Sequence, residues 1–200
     1  MKDQLVLASR SPRRQELLRQ LGLRFAVNPA DVAESATAGE PAADYARRVA
    51  LEKARAARAR GTAALPVLGA DTDVVLDGEI LGKPTDRNHG IALLLRLSGR
   101  AHEVYSAVAL VHGDREAVRL SVSEVEFGPV TPQAAAAYWD TGEPADKAGG
   151  YAIQGLGAAF VRGIRGSYSG IVGLPIFETC ELLRASGIDV LAPEGSRSTP

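Results

Sequence analysis

The chain has 200 residues, with 23 Lys and Arg against 24 Asp and Glu and a net charge of −1. That balance provides no global field to attract nucleic acid or a membrane surface, so any anion binding must come from local clusters. The single cysteine, Cys180, excludes an internal disulfide and a cysteine-rich zinc site, which fits a reducing compartment.

The first residues lead into an apolar strand over residues 5–8, too early for a signal peptide. No run approaches the roughly 20 apolar residues of a membrane helix. A cytoplasmic location with no nucleic-acid or membrane partner is expected. Ser11 then caps a helix with Pro12 at its first position and Leu17, Leu18 and Leu21 on its apolar face. Residues 25–27 resemble a second strand, and residues 31–40 a polar loop. Pro41 opens a helix to about residue 60, with Tyr45, Val49 and Lys53 at successive i+4 steps. Residues 67–76 read as a strand that turns at Asp77-Gly78 and returns over 79–81. Asp86 caps a helix through Leu97, and residues 104–111 and 118–127 form an antiparallel pair. Thr131-Pro132 starts a helix to Trp139, and the Gly-rich stretch 142–157 is a long loop of the kind that carries function. A hairpin is expected from 160–164 and 167–172 around Arg165-Gly166. Pro175 opens a last helix with Phe177, Cys180 and Leu183 inward. The pattern predicts an α/β fold, a mixed sheet flanked by helices, in one domain over 1–192 with a disordered tail at 193–200.

Chemistry concentrates at a few points. Arg13 and Arg14 lie on the first turn of a helix, where cations are unfavourable unless an anion meets them. With the hydroxyls of Ser9 and Ser11 and open backbone N–H groups, they form a receptor suited to polyphosphate. The alternative is two solvated arginines on an ordinary strand-turn-helix. Within residues 67–76, Asp71 and Asp73 share one face of an otherwise apolar strand, with Thr72 on the other. A buried carboxylate needs a cation or donors, so these point to a divalent ion or a proton-accepting role unless the strand has reached an exposed end. Lys53 lies on the core-facing stripe of its helix, where it either meets an anion or snorkels to solvent. Lys83 follows the hairpin back toward the level of Asp71, and lysine meets phosphate as a point charge. Glu34 sits in a loop, solvated unless it reaches a metal. The three histidines lack metal or triad spacing, and no Walker A or complete dinucleotide fingerprint occurs.

Six segments occur in order from about residue 5 to about residue 183: Leu7-Ala8-Ser9-Arg10-Ser11-Pro12-Arg13-Arg14-Gln15-Glu16-Leu17-Leu18, Glu52-Lys53-Ala54, Gly69-Ala70-Asp71-Thr72, Leu81-Gly82-Lys83-Pro84, 146–155 (Asp146-Lys147-Ala148-Gly149-Gly150-Tyr151-Ala152-Ile153-Gln154-Gly155) and Gly173-Leu174-Pro175. Together they resemble the Maf family of nucleoside triphosphate pyrophosphatases. The version with Gln154 is similar to the branch that prefers dTTP and UTP over 7-methyl-GTP. The resemblance implies cleavage between the α and β phosphates, a divalent cation (Mg or Mn), a homodimer, and an elongated twisted sheet with two lobes around a central cleft. By position it implies Asp71 as proton acceptor, Glu34 and Asp71 as metal-side carboxylates, and Lys53 and Lys83 as phosphate clamps. It further implies Ser9 and Arg14 in the phosphate loop, with Arg13, Thr72 and Gln154 at positions of base selection. Two departures stand out: Asp73 where the family more often has a small or apolar residue, and Ala33 in place of a frequent acidic residue. A rival reading is a nucleotide-binding regulator of septum formation with little hydrolysis, which would use the same binding residues.

Overall fold

A computed structural model describes residues 2–61 and 65–192. Strand β1 (Leu5–Leu7) pairs in parallel with β2 (Phe25–Val27) on one side and with β3 (Val67–Leu76) on the other. Strands β4 (Glu79–Leu81), β5 (Ala101–His112), β6 (Arg115–Phe127) and β7 (Val161–Arg165) all pair antiparallel with their neighbours. Among the described residues the sheet has seven strands, ordered β2-β1-β3-β5-β6-β7, with β4 attached to β3. It is the mixed sheet expected.

The pairing of β3 creates the site. One edge of β3 is covered by β5 from Val67 to Val75. The other edge is divided, since β1 takes Val67 and Leu68 while β4 takes Val74 to Leu76. Among the described residues, 69–73 have no strand on that edge, and the sheet splits there. The β3–β4 turn is tight because Asp77 and Gly78 both adopt positive φ, 53° and 81°, the twist that suits a two-residue hairpin.

Helices α1 (Pro12–Gln20), α2 (Ala42–Ala59), α3 (Arg87–Leu97), α4 (Pro132–Trp139), α5 (Tyr168–Val172) and α6 (Ile176–Ala185) flank the sheet. The caps read from sequence are present: Ser11 Oγ accepts from Arg14 N, Asp86 from His89 N and Thr131 from Ala134 N. On α2 the buried stripe is Tyr45, Ala46, Val49, Ala50, Lys53, Ala54 and Ala57. Its small residues let the helix lie almost on β3. A Cβ at Gly69 would come within 2.2 Å of the Ala50 carbonyl oxygen.

Apolar clusters lie on both sides of the split. One gathers Val74, Leu93, Leu94, Leu97, Phe127, Tyr138 and Tyr151. The others cover the two faces of the N-terminal strands, Leu5, Leu7, Leu18, Leu68 and Leu183 on one and Val6, Ala50, Val67 and Ala107 on the other.

Three local expectations need correction. Residues 167–172 are not a returning strand: Gly166 does turn, but Ser167 Oγ then accepts from Gly170 N and caps α5. The local cap overrides the β preference of Ile171 and Val172. In α6 the inward residues are Thr179, Leu182 and Leu183, whereas Phe177 is 71% exposed and Cys180 only half-buried. Thr179 tolerates the core because its hydroxyl donates to the Pro175 carbonyl at 2.7 Å. The stretch 142–157 is ordered by 3₁₀ turns at Glu143–Asp146, Ala148–Gly150 and the start of Leu156–Phe160. The expected tail, 193–200, lies outside the described residues.

Candidate active site

Where β1 ends, the chain turns through Ser9 and Ser11 into α1. Ser9 Oγ accepts from Ser11 N and from Arg14 Nη1, each at 3.2 Å. Arg14 Nε donates to the Gly173 carbonyl at 2.8 Å and Nη2 to Thr72 Oγ1 at 3.2 Å. Thr72 also meets Ser106 Oγ at 3.1 Å. Arg14 thus braces the loop against β3 and the α5–α6 connection, and each terminal nitrogen keeps a second N–H for a ligand. Burial lowers its pKa, opposed chiefly by the charge of Asp71.

The other face of β3 meets α2. Lys53 Nζ donates to Asp71 Oδ1 at 2.7 Å and pairs with Glu34 Oε1 at 2.7 Å, and Lys83 Nζ lies 3.6 Å from Glu34 Oε2. Lys53 does not snorkel; it is buried with Asp71. Burial disfavours the Glu34 carboxylate, but Lys53 and Lys83 outweigh that and hold its pKa below the ordinary value. Asp73 behaves in the opposite way. Burial first, then the charge of Asp71 and a hydrogen bond with it, push the Asp73 carboxyl well above the usual range. Asp73 Oδ2 is buried and has no partner among the described residues. Two carboxylates on one strand face therefore differ: Asp71 pairs with Lys53, while Asp73 is pushed toward its neutral form.

Every residue singled out from sequence lines one cleft of about 730 Å3: Ser9, Arg13, Arg14, Glu34, Lys53, Asp71, Thr72, Lys83 and Gln154. Its size is that of a small-molecule site. Sequence reasoning gave no role to Lys147 or Tyr45, which also line it. Lys147 Nζ donates to the Glu143 carbonyl at 3.1 Å and pairs with Asp146. Its place in the Gly-rich segment was the available signal. Among the described residues no group of three His, Cys, Asp or Glu could hold a metal unaided.

Arginines and lysines gathered around a carboxylate network on a split sheet define a polyanion-binding α/β cleft, the architecture of an enzyme that hydrolyses phosphoanhydrides. The profile of Maf-like proteins matches residues 4–186, and the chain belongs to that family. It is 51% identical to the protein named dTTP/UTP pyrophosphatase of Saccharophagus degradans, over 94% of this chain and 93% of that one. It is 52% identical to the protein of the same name from Methylococcus capsulatus, over 92% and 91%. A crystal structure described as a nucleoside-triphosphatase / dITP/XTP pyrophosphatase from Mycobacterium abscessus superposes with a TM-score of 0.48 at 19% identity, over 91% and 93% of the two chains.

Proposed function

We propose that this protein hydrolyses dTTP and UTP between the α and β phosphates, consuming one water and releasing the monophosphate and pyrophosphate. The observation that carries the reading is the Glu34–Lys53–Asp71 ion chain, with Lys53 and Asp71 buried, opening onto a cleft faced by Arg13, Arg14 and Lys83. The names of the relatives supply the nucleotides. In this reading Asp71 accepts the proton of the attacking water. Lys53 pairs with Asp71 and, with Lys83, neutralises the phosphates. Ser9 and Arg14 seat the phosphate chain. Arg13, Thr72 and Gln154 select the base, where the Gln154 amide offers both a donor and an acceptor to the O4 and N3–H edge of uracil or thymine.

A divalent cation fits these residues. Glu34 and Asp71 are hard oxygen donors at the cleft wall, and Asp73 beside them leaves a buried oxygen unpartnered. Two carboxylates completed by phosphate oxygens and water suit Mg²⁺ or Mn²⁺. Such an ion would neutralise charge on the triphosphate. The reading extends to a single unit over residues 1–192, a homodimer and a cytoplasmic role in clearing unwanted nucleotides. Among the described residues no helix is long and apolar enough to cross a membrane.

A panel of nucleoside triphosphates with Mg²⁺ or Mn²⁺, scored for pyrophosphate, tests the proposal. dTTP and UTP are expected as best substrates. Release of orthophosphate in place of pyrophosphate would refute α–β cleavage, and preference for a guanine nucleotide would refute the branch. Binding of dTTP without turnover would favour the regulatory reading.

A further inference from the structure

Gln154 is exposed in a Gly-rich segment, and its side chain makes no hydrogen bond among the described residues. Its backbone is nevertheless held at both flanks by one pair of side chains. Glu143 Oε1 accepts from the Tyr138 hydroxyl at 2.6 Å and from Gly157 N at 3.0 Å, and Oε2 accepts from Leu156 N at 3.0 Å. The Tyr138 oxygen in turn accepts from Ala152 N at 3.0 Å. The amides two residues before Gln154, and two and three after it, thus converge on a carboxylate–phenol pair. Glycine makes this approach possible. A Cβ at Gly155 would fall 2.2 Å from Glu143 Oε2, and one at Gly157 would fall 2.7 Å from the Tyr138 oxygen. The anchor itself is firm, since Tyr138 is buried on α4 with its ring edge-on to Phe160. Burial disfavours the charged Glu143, but the Tyr138 hydroxyl and the Gly157 and Leu156 amides outweigh it and keep the carboxyl below its usual pKa.

We propose that Glu143 and Tyr138 are positioning residues that fix Gln154 at the cleft mouth and so set nucleotide preference, an inference that rests on the reading of Gln154 as the base contact. A glycine-rich segment left untied would have to be ordered by each incoming base, and that entropy would be lost from binding. Tied beforehand, the amide meets the pyrimidine edge at no such cost. Neither residue lines the cleft, so the effect is expected on base recognition through Gln154.

The test uses the full chain with Mg²⁺ and four variants: Glu143→Gln, Tyr138→Phe, Gln154→Ala and the Glu143→Gln/Gln154→Ala double variant. Steady-state constants are measured for dTTP, UTP and CTP, together with inhibition by inorganic tripolyphosphate, which has no base. Glu143→Gln and Tyr138→Phe are each expected to lower kcat/KM for dTTP and UTP about tenfold, mainly through KM, with CTP less affected. Tripolyphosphate inhibition should stay as in the unmodified protein, which a general loosening of the cleft would not allow. The double variant should be no less selective than Gln154→Ala, because both changes act through one contact. Unchanged preference in Glu143→Gln and Tyr138→Phe, with Gln154→Ala altered, would overturn the positioning role and spare the base contact. Unchanged preference in Gln154→Ala would overturn both. Tyr138→Phe keeps the ring packing and reads the same tie should Glu143→Gln fail to fold.

Discussion

Asp71 and Asp73 have the same side chain on the same strand face, yet Lys53 reaches only the first. In the proposed mechanism that difference separates their roles. Asp71→Asn keeps the shape and removes the proposed base, so turnover should fall by roughly the 10²–10⁴-fold typical of general-base loss. Asp73→Asn replaces a carboxyl that burial and its neighbour already hold protonated, and it should retain most activity. The reverse ranking of the two variants would show that the wrong aspartate is assigned as base. Lys83 is 61% exposed and meets its partner Glu34 at 3.6 Å, so it is free to swing onto phosphate. Lys83→Ala should weaken dTTP and UTP alike, since a point charge carries no information about the base. A changed ranking of nucleotides in that variant would remove Lys83 from the phosphate side. At this scale sequence was informative because carboxylates in an apolar strand and arginines on a first helical turn both contradict local stability. It was silent on Glu143, whose role depends on amides 13 and 14 positions downstream that no local pattern marks.

Among the elements, α2 carries Lys53 and β3 carries Asp71, and the spacing of the two rests on small residues. The Ala50 and Ala54 stripe against Gly69 brings the helix close enough for Lys53 to reach Asp71. Gly69→Ala would drive a methyl into the Ala50 carbonyl and force the helix outward. Overpacking of this kind costs about 1–3 kcal/mol, read as a lower midpoint in urea unfolding, and kcat/KM should fall with it. Full stability and activity in Gly69→Ala would show that this close approach does not set the site. The stripe of Tyr45, Val49 and Lys53 was legible from period alone, as were the caps and the Asp77-Gly78 turn. Helix α5 was not, because six residues rich in Ile, Val and Tyr suit a strand until Ser167 is seen to cap. Phase in α6 was lost for a related reason. Its start at Ile176 and the buried hydroxyl of Thr179 shift the inward stripe away from Phe177.

Across the whole molecule, the cleft exists because β1 and β4 share one edge of β3 and leave a gap, an arrangement that strand order alone does not reveal from sequence. The side of the cleft built around Phe127 also hides a histidine. His102 is buried, its Nε2 lies 2.8 Å from the Tyr151 hydroxyl, and its Nδ1 has no partner among the described residues. Phe127 and Tyr151 both meet its ring edge-on, and burial pulls its pKa from 6.5 down to about 4. The unfolded chain therefore takes up this proton before the folded one does. The stability His102 contributes is present above pH 6.5 and is lost as pH falls through 4. At 1.36 kcal/mol per unit, the loss is about 3 kcal/mol across that window. Asp73 works in the other direction, because its raised pKa adds stability that is present at low pH and lost as pH rises. Glu34, Glu143 and Asp146 have lowered values, so their losses come at lower pH, beneath their ordinary carboxylate range. From pH 6.5 to 5 His102 and Asp73 therefore act in opposite senses, and only a comparison with a protein that lacks the imidazole isolates the histidine. As pH drops across this interval, urea midpoints of the unmodified protein should fall relative to those of His102→Gln, whose amide can still meet the Tyr151 hydroxyl without titrating. Equal slopes in the two proteins would mean that His102 does not stay neutral in the fold.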